Sequence, residues 1–229
     1  MRVKLIACTP NILDVLYTSA RTCYNAGSPI DMWEDVDNIQ EDKKLKLIKS
    51  CIESGHHSVL EHAYFTFSIE GITRACSHQL VRHRLCSFSQ QSQRYCEFKN
   101  GVFDNVEPSK IAENSDAHVI YDMTMRYISQ AYDNLIKLGI LPEDARSVLP
   151  NSCCTNINMT LNLRELIHLC EERLCTHAQS EIRQMCKSIK KCVVEQENWL
   201  EEYLQPKCVR IDKCTEHKSC GFIDTKHKL

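Results

Sequence analysis

The chain has 229 residues, 43% of them hydrophobic, with six glycines and six prolines: enough apolar material for a substantial core and too little Gly and Pro for long linkers. A formal charge of −2 argues against a general nucleic-acid coat, which usually needs a basic domain face; the basic residues are local, so the anion they meet is expected to be small. No apolar run reaches the ~18 residues of a membrane span and no signal peptide is expected, so most of the fifteen cysteines read as reduced, buried small hydrophobes of a cytoplasmic protein.

Met1 to Cys8 reads as a strand. Residues 41–54 set Leu45, Ile48, Cys51 and Ile52 at helical spacing, and Gly55 follows where a helix stops. Tyr64 to Glu70 alternates, with Phe65, Phe67 and Ile69 against Tyr64, Thr66, Ser68 and Glu70, the pattern of a half-buried strand. From Ile72 to about Leu85 the rhythm turns helical, which predicts Gln79, Arg82, His83 and Cys86 along one face. Ser87 to Gln91 then reads as a loop and Gln93 to Phe98 as a strand. Ser115 is expected to cap a long helix carrying Val119, Ile120, Met123, Tyr127, Ile128, Ala131, Leu135 and Leu138, closed by Gly139. A strand near 152–161 precedes a last helix, capped by Asn162 with Glu165 in a capping-box position, that runs with a bend to Leu204 before Pro206.

The chemistry concentrates in Arg82 to Tyr95, which holds three arginines, a histidine, three glutamines and three serines. Arginine forks suit phosphates and carbonyls, and a helix end running into a loop lets backbone N–H groups approach an anion. Gly55 to His62 carries His56, His57, Ser58, Glu61 and His62, either a hydrogen-bonded turn or a site. Arg146 either pairs with Glu143 or Asp144 or binds a ligand, and the spacings Arg164 to His168 and Arg173 to His177 put each pair on one helix face. No GxGxxG, P-loop, HExxH or GxSxG motif occurs, and nothing sets up a triad around Ser92 or His83. An arginine-rich site without a nucleophile fits chemistry carried by a cofactor. The tail holds Cys208, Cys214, His217, Cys220 and His227; without a C-x2-C knuckle, no metal is expected there.

Arg82-His83-Arg84, Ser87, Ser92 and Arg94 fit the signature RHRxxSxNxxSxR of the flavin-dependent thymidylate synthases, with Ser89 at the asparagine position. Gly55-His56-x-Ser58 with Glu61-His62 resembles the family's upstream block; Ala145 to Pro150, Asn162, and Arg173 with His177-Ala178-Gln179 resemble its downstream blocks. The resemblance covers about residues 1–205 as one domain and leaves 206–229 as a polar Cys/His tail. It implies an α+β fold, a mixed or antiparallel sheet flanked by long helices, assembled as a homotetramer with FAD sites at subunit junctions. The implied reaction is methylation of dUMP to dTMP, with methylenetetrahydrofolate as carbon donor and reduced FAD, recharged by NADPH, as hydride donor.

By the same resemblance, Ser58, Arg82, His83, Arg84, Gln90, Asn162, Arg164 and His168 fall on FAD-contacting positions, and His56 on one near flavin and folate. Gln79, Arg82, Gln90, Gln91, Ser92, Gln93, Arg94, Arg146 and Arg173 fall on nucleotide-binding positions. Arg94 suits the phosphate. Arg173 is the expected activator, a guanidinium that stabilises an electron-rich uracil ring without a cysteine adding to it. Many relatives carry a carboxylate where Gln90 keeps only a neutral acceptor. Two other readings of these residues are a different flavin- or nucleotide-dependent transferase and a nucleic-acid-binding module using Arg82, Arg84 and Arg94 on phosphates.

Overall fold

The computed structural model describes residues 1–223; His227 and the end of the expected tail lie outside the described residues. The four strands β1 (Arg2–Cys8), β2 (Tyr64–Thr73), β3 (Ser87–Gln90) and β4 (Cys154–Asn162) form a sheet in the order β1-β2-β4-β3. Pairing of β2 with β4 is antiparallel: Thr66 meets Thr160 through their hydroxyls at 3.0 Å, whereas Gly71, five residues on, donates its N–H to the Asn156 side chain. Among the described residues the α-helices are α1 (Ile12–Thr22), α2 (Pro29–Glu34), α3 (Glu41–Glu53), α4 (Arg74–Leu80), α5 (Ser109–Ala112), α6 (Ser115–Lys137), α7 (Pro142–Ala145), α8 (Leu163–Arg173), α9 (Ser180–Val194) and α10 (Lys207–Arg210). None of them is long and apolar enough to cross a membrane. The fold is α+β, as expected. The chain divides into two compact units: Met1–Val3, Ser68–Arg82 and Phe88–Asn158 form the first, and Lys4–Phe67, His83–Ser87 and Met159–Leu229 the second.

In the first unit Ile69, Ile72, Cys76, Leu80, Tyr132 and Cys153 are fully buried. The helix expected from Ile72 to Leu85 is only α4, because the Thr73 hydroxyl accepts the Cys76 N–H and fixes a start at Arg74, and the chain unwinds after Leu80. Arg82 and His83 therefore do not share a helix face with Gln79. Ser87–Gln90, expected as a loop, is β3, since β4 offers a partner that local pattern cannot reveal; the Gln91 N–H continues the pairing onto the Asn156 carbonyl. Gln93 to Phe98 forms no strand but a turn, with the Cys96 N–H on the Ser92 carbonyl. α6 is capped by Asn114, one residue before the expected Ser115, through N–H groups of Asp116 and Ala117. Tyr132 is the buried residue of that helix, while Val119, Ile120, Met123 and Tyr127 stand exposed.

In the second unit Phe65 and Phe67 are fully buried with Leu16, Ile48, Met159, Leu166, Met185 and Ile189. The alternation read for β2 thus places its phenylalanines inward and Tyr64 outward. α1 and α3 are tied by a mostly buried ion pair, Lys44 to Asp14 at 2.5 Å. α3 ends as expected at Gly55, whose φ of +79° lets the His56 N–H close back on the Cys51 carbonyl. The single bent helix expected from Leu163 to Leu204 is instead two helices, α8 and α9, followed by a 3-10 turn at Asn198–Glu202.

Candidate active site

In the second unit β4 runs directly into α8: Asn162 is both the last strand residue and the helix cap, its side chain accepting the Glu165 N–H at 2.9 Å. The reciprocal arm of a capping box is not made. The Glu165 carboxylate instead meets Nδ1 of His83 at 3.1 Å, with both side chains about 5% exposed. On the opposite side of the ring, Arg173 donates its Nε–H to His83 Nε2 at 3.0 Å. A guanidinium only donates, so Nε2 carries the lone pair and Nδ1 the proton. Burial and, less strongly, the charge of Arg173 hold the His83 pKa below its ordinary value against the raising effect of Glu165. The result is a neutral histidine of fixed tautomer that anchors an arginine.

The His168 ring lies edge-on to His83, with centroids 5.8 Å apart. Ligand atoms of His83, Glu165 and His168 come within 4.8 Å of one another, the spacing of a metal triad. A fixed guanidinium already occupies Nε2 of His83, and its charge disfavours a second cation there. Arg164 reaches back from the first turn of α8 to Glu61 at 2.6 Å, beside the 3-10 turn His57–His62 that follows His56. His56 and Ser58 are exposed, while His57 bonds the Ile52 carbonyl at 3.2 Å, a structural role. Burial, aided by Glu165, pushes the Cys86 thiol up to about 12, which holds it in its protonated, weakly nucleophilic form.

The first unit holds the expected nucleotide residues other than Arg173. Gln90 donates from Nε2 to the hydroxyls of Ser77 at 2.9 Å and Thr155 at 3.3 Å, Gln91 accepts from Asn156 at 2.9 Å, and Gln93 contacts the Cys153 sulfur at 3.5 Å. Gln79 bonds the Ala75 carbonyl at 3.4 Å within its helix. Arg94 and Arg146 converge on Glu143: Arg94 Nε pairs with the carboxylate at 2.5 Å, and Arg146 Nε donates to the backbone carbonyl at 3.0 Å. The Ser92 hydroxyl accepts the Arg94 N–H, shaping the turn. Arg82 belongs to this unit and is exposed, as is Arg84 in the other. Sequence reasoning saw Glu165 only as a cap partner and did not single out Ser77 or Thr155; a carboxylate at a helix start carries no sign of a bond to a residue 82 positions earlier.

A family model described as "Thymidylate synthase complementing protein" matches residues 4–197. A flavin-dependent thymidylate synthase of Nitratidesulfovibrio vulgaris is 41% identical over all of this chain and 97% of its own length. The chain belongs to the flavin-dependent thymidylate synthase family. A second member of the flavin-dependent thymidylate synthases, from Clostridium tetani, is 36% identical and covers 100% of this chain and 96% of its own. The fold of the family agrees as well: the crystal structure of the Helicobacter pylori flavin-dependent thymidylate synthase ThyX, complexed with FAD and dUMP, superposes with a TM-score of 0.70 over 90% of this chain and 100% of that one, at 22% identity.

Proposed function

We propose that the chain catalyses the FAD-dependent reductive methylation of dUMP in thymidylate biosynthesis: dUMP, methylenetetrahydrofolate, NADPH and a proton give dTMP, tetrahydrofolate and NADP+. The observation that carries this reading is the Arg173–His83–Glu165 chain, a buried histidine–glutamate anchor for a half-buried guanidinium, beside a thiol that burial keeps protonated. Such a site favours activation of a uracil ring by charge over addition of a cysteine. The Helicobacter pylori protein of this fold is described in complex with FAD and dUMP, which supports both ligands.

The donors of the second unit fit a flavin dinucleotide by their chemistry. His56, Ser58, Arg84, Arg164 and His168 are exposed and offer hydrogen bonds to a pyrophosphate and to ring carbonyls, and we assign FAD to them together with Arg82, His83, Gln90 and Asn162. Reduced FAD supplies the hydride that completes the methyl group. Arg173, held through Nε, keeps its terminal amino groups for the pyrimidine, where positive charge stabilises the deprotonated ring and makes carbon five nucleophilic. Arg94, Arg146 and the backbone around Ser92 take the nucleotide phosphate, displacing Glu143 from Arg94. Gln79, Gln90, Gln91 and Gln93 line the nucleotide side. His83 stays neutral and positions Arg173.

The reading includes a cytoplasmic homotetramer, with residues 1–205 catalytic and 206–229 appended. The exposed apolar stripe Val119, Ile120, Met123 and Tyr127 on α6 supports assembly, since solvent contact for such a stripe is unfavourable. The test is an absorbance spectrum after FAD addition together with anaerobic tritium release from dUMP labelled at carbon five. Flavin bands with NADPH- and folate-dependent release are expected; no bound flavin, or flavin without release, overturns the reading.

A further inference from the structure

Three tail cysteines, Cys208, Cys214 and Cys220, recur at a spacing of six, beyond the residues 4–197 that the family model matches. In the second unit they line one cavity of about 500 Å³ with a fourth, Cys175, which follows α8. The tail is seated there by side-chain contacts of its own. Arg210 pairs with Glu171 at 2.6 Å, both mostly buried, and His177 meets the Lys218 carbonyl at 2.9 Å. We infer that Cys175, Cys208, Cys214 and Cys220 form a zinc site that fastens the tail to the end of α8.

Four features support the assignment. Four thiols from two distant segments on one cavity match the ligand number and donor type of a closed structural zinc centre. A tetrathiolate centre carries two net negative charges, and Arg183, Lys187, Lys190 and Lys207 line the same cavity to offset them. The segment from Lys207 to Gly221 is almost wholly polar: Val209 and Ile211 are its aliphatic side chains, and Ile211 is exposed. A stretch so poor in apolar contacts gains order from a metal crosslink. The Cys208 thiol lies within electrostatic reach of Cys175, Cys214 and Cys220. Binding then releases four protons, one per thiol, as four sulfur–zinc bonds form. The triad of ligand atoms within 4.8 Å among the described residues is the histidine–glutamate set of the active site, so the four sulfurs stand open, and zinc has to draw them together. Sequence reasoning discounted metal for want of a close cysteine pair. The fold supplies the missing fourth thiol from Cys175.

The full chain, expressed with added zinc and purified without chelator, is expected to hold one zinc per molecule by plasma mass spectrometry. Cys214→Ser and Cys208→Ser lower that content at least tenfold, and Cys96→Ser, an exposed thiol of the other unit, leaves it unchanged. Should a tail variant fail to fold, cobalt titration of the wild-type chain decides: a tetrahedral thiolate spectrum, lost on zinc addition, is expected. Absence of that spectrum, less than a tenth of an equivalent of zinc, zinc retained by Cys214→Ser, or a disulfide-linked peptide pair among these cysteines in protein purified under nitrogen overturns the site.

Discussion

His83 accepts from Arg173 at 3.0 Å through one ring nitrogen and faces Glu165 at 3.1 Å through the other. The arginine's direction therefore depends on a carboxylate that never reaches it. Glu165→Gln can present its amide N–H to Nδ1, which drives the proton to Nε2, where it opposes the guanidinium. The expected outcome is a fall in kcat with FAD and dUMP affinity little changed. Glu165→Ala leaves a buried N–H without a partner and costs about 1–3 kcal/mol of stability. Steady-state kinetics and urea melts separate the two effects; unchanged kcat in Glu165→Gln refutes the positioning role.

His83 also sets a pH dependence. Its folded pKa lies below the ordinary 6.5, so below that value the unfolded chain binds the additional proton. Stability from this residue is fully present above pH 6.5 and is lost as pH falls from there toward the folded pKa. Thermal melts of wild type and His83→Gln should converge on acidification. A wild-type advantage that is constant with pH contradicts the assignment.

Arg173→Ala is expected to retain the flavin spectrum and lose turnover by about 10²–10³-fold, the scale for removing one preorganised donor. Arg173→Lys keeps the charge but not the Nε–H to His83, and should recover little. Rescue to wild-type rates by lysine would show that charge alone suffices.

Arg94 begins in an ion pair with Glu143, both groups at least a third exposed. Binding a phosphate requires that pair to break. Screened pairs are worth roughly 0.2–1 kcal/mol, so Glu143→Gln should tighten dUMP binding by about 1.5- to 5-fold, whereas Arg94→Ala weakens it. Isothermal titration against dUMP at two salt concentrations measures both, and weaker binding by Glu143→Gln contradicts the competition.

How far the sequence carried this picture depended on the range of the interaction. Phe65, Phe67 and Ile69 announced β2 by alternation, and Gly55, Gly139 and Asn162 announced helix ends, because a strand's period and a cap are local properties. β3 was hidden, since Ser87–Gln90 becomes a strand only through β4. α4 read too long, because Thr73 acts as a cap only after β2 has delivered it there. In the site, the arginines and histidines were legible by type, and their family spacing gave the roles proposed for them. Their bonds were not: Glu165 with His83, Glu143 with Arg94 and Gln90 with Ser77 span 82, 49 and 13 positions.

The absence of any loop between β4 and α8 has a geometric consequence. A strand's pairing register fixes which way each residue points, and an α-helix turns about 100° per residue. Because Asn162 ends one element and caps the other, the sheet sets the azimuth of every side chain on α8. One inserted residue at that junction would swing Arg173 by about 100° away from His83 while leaving the helix itself intact. The strand thus works as the indexing stop for the arginine, three turns downstream, and a length change at this joint reaches the site through the rotation of the whole helix.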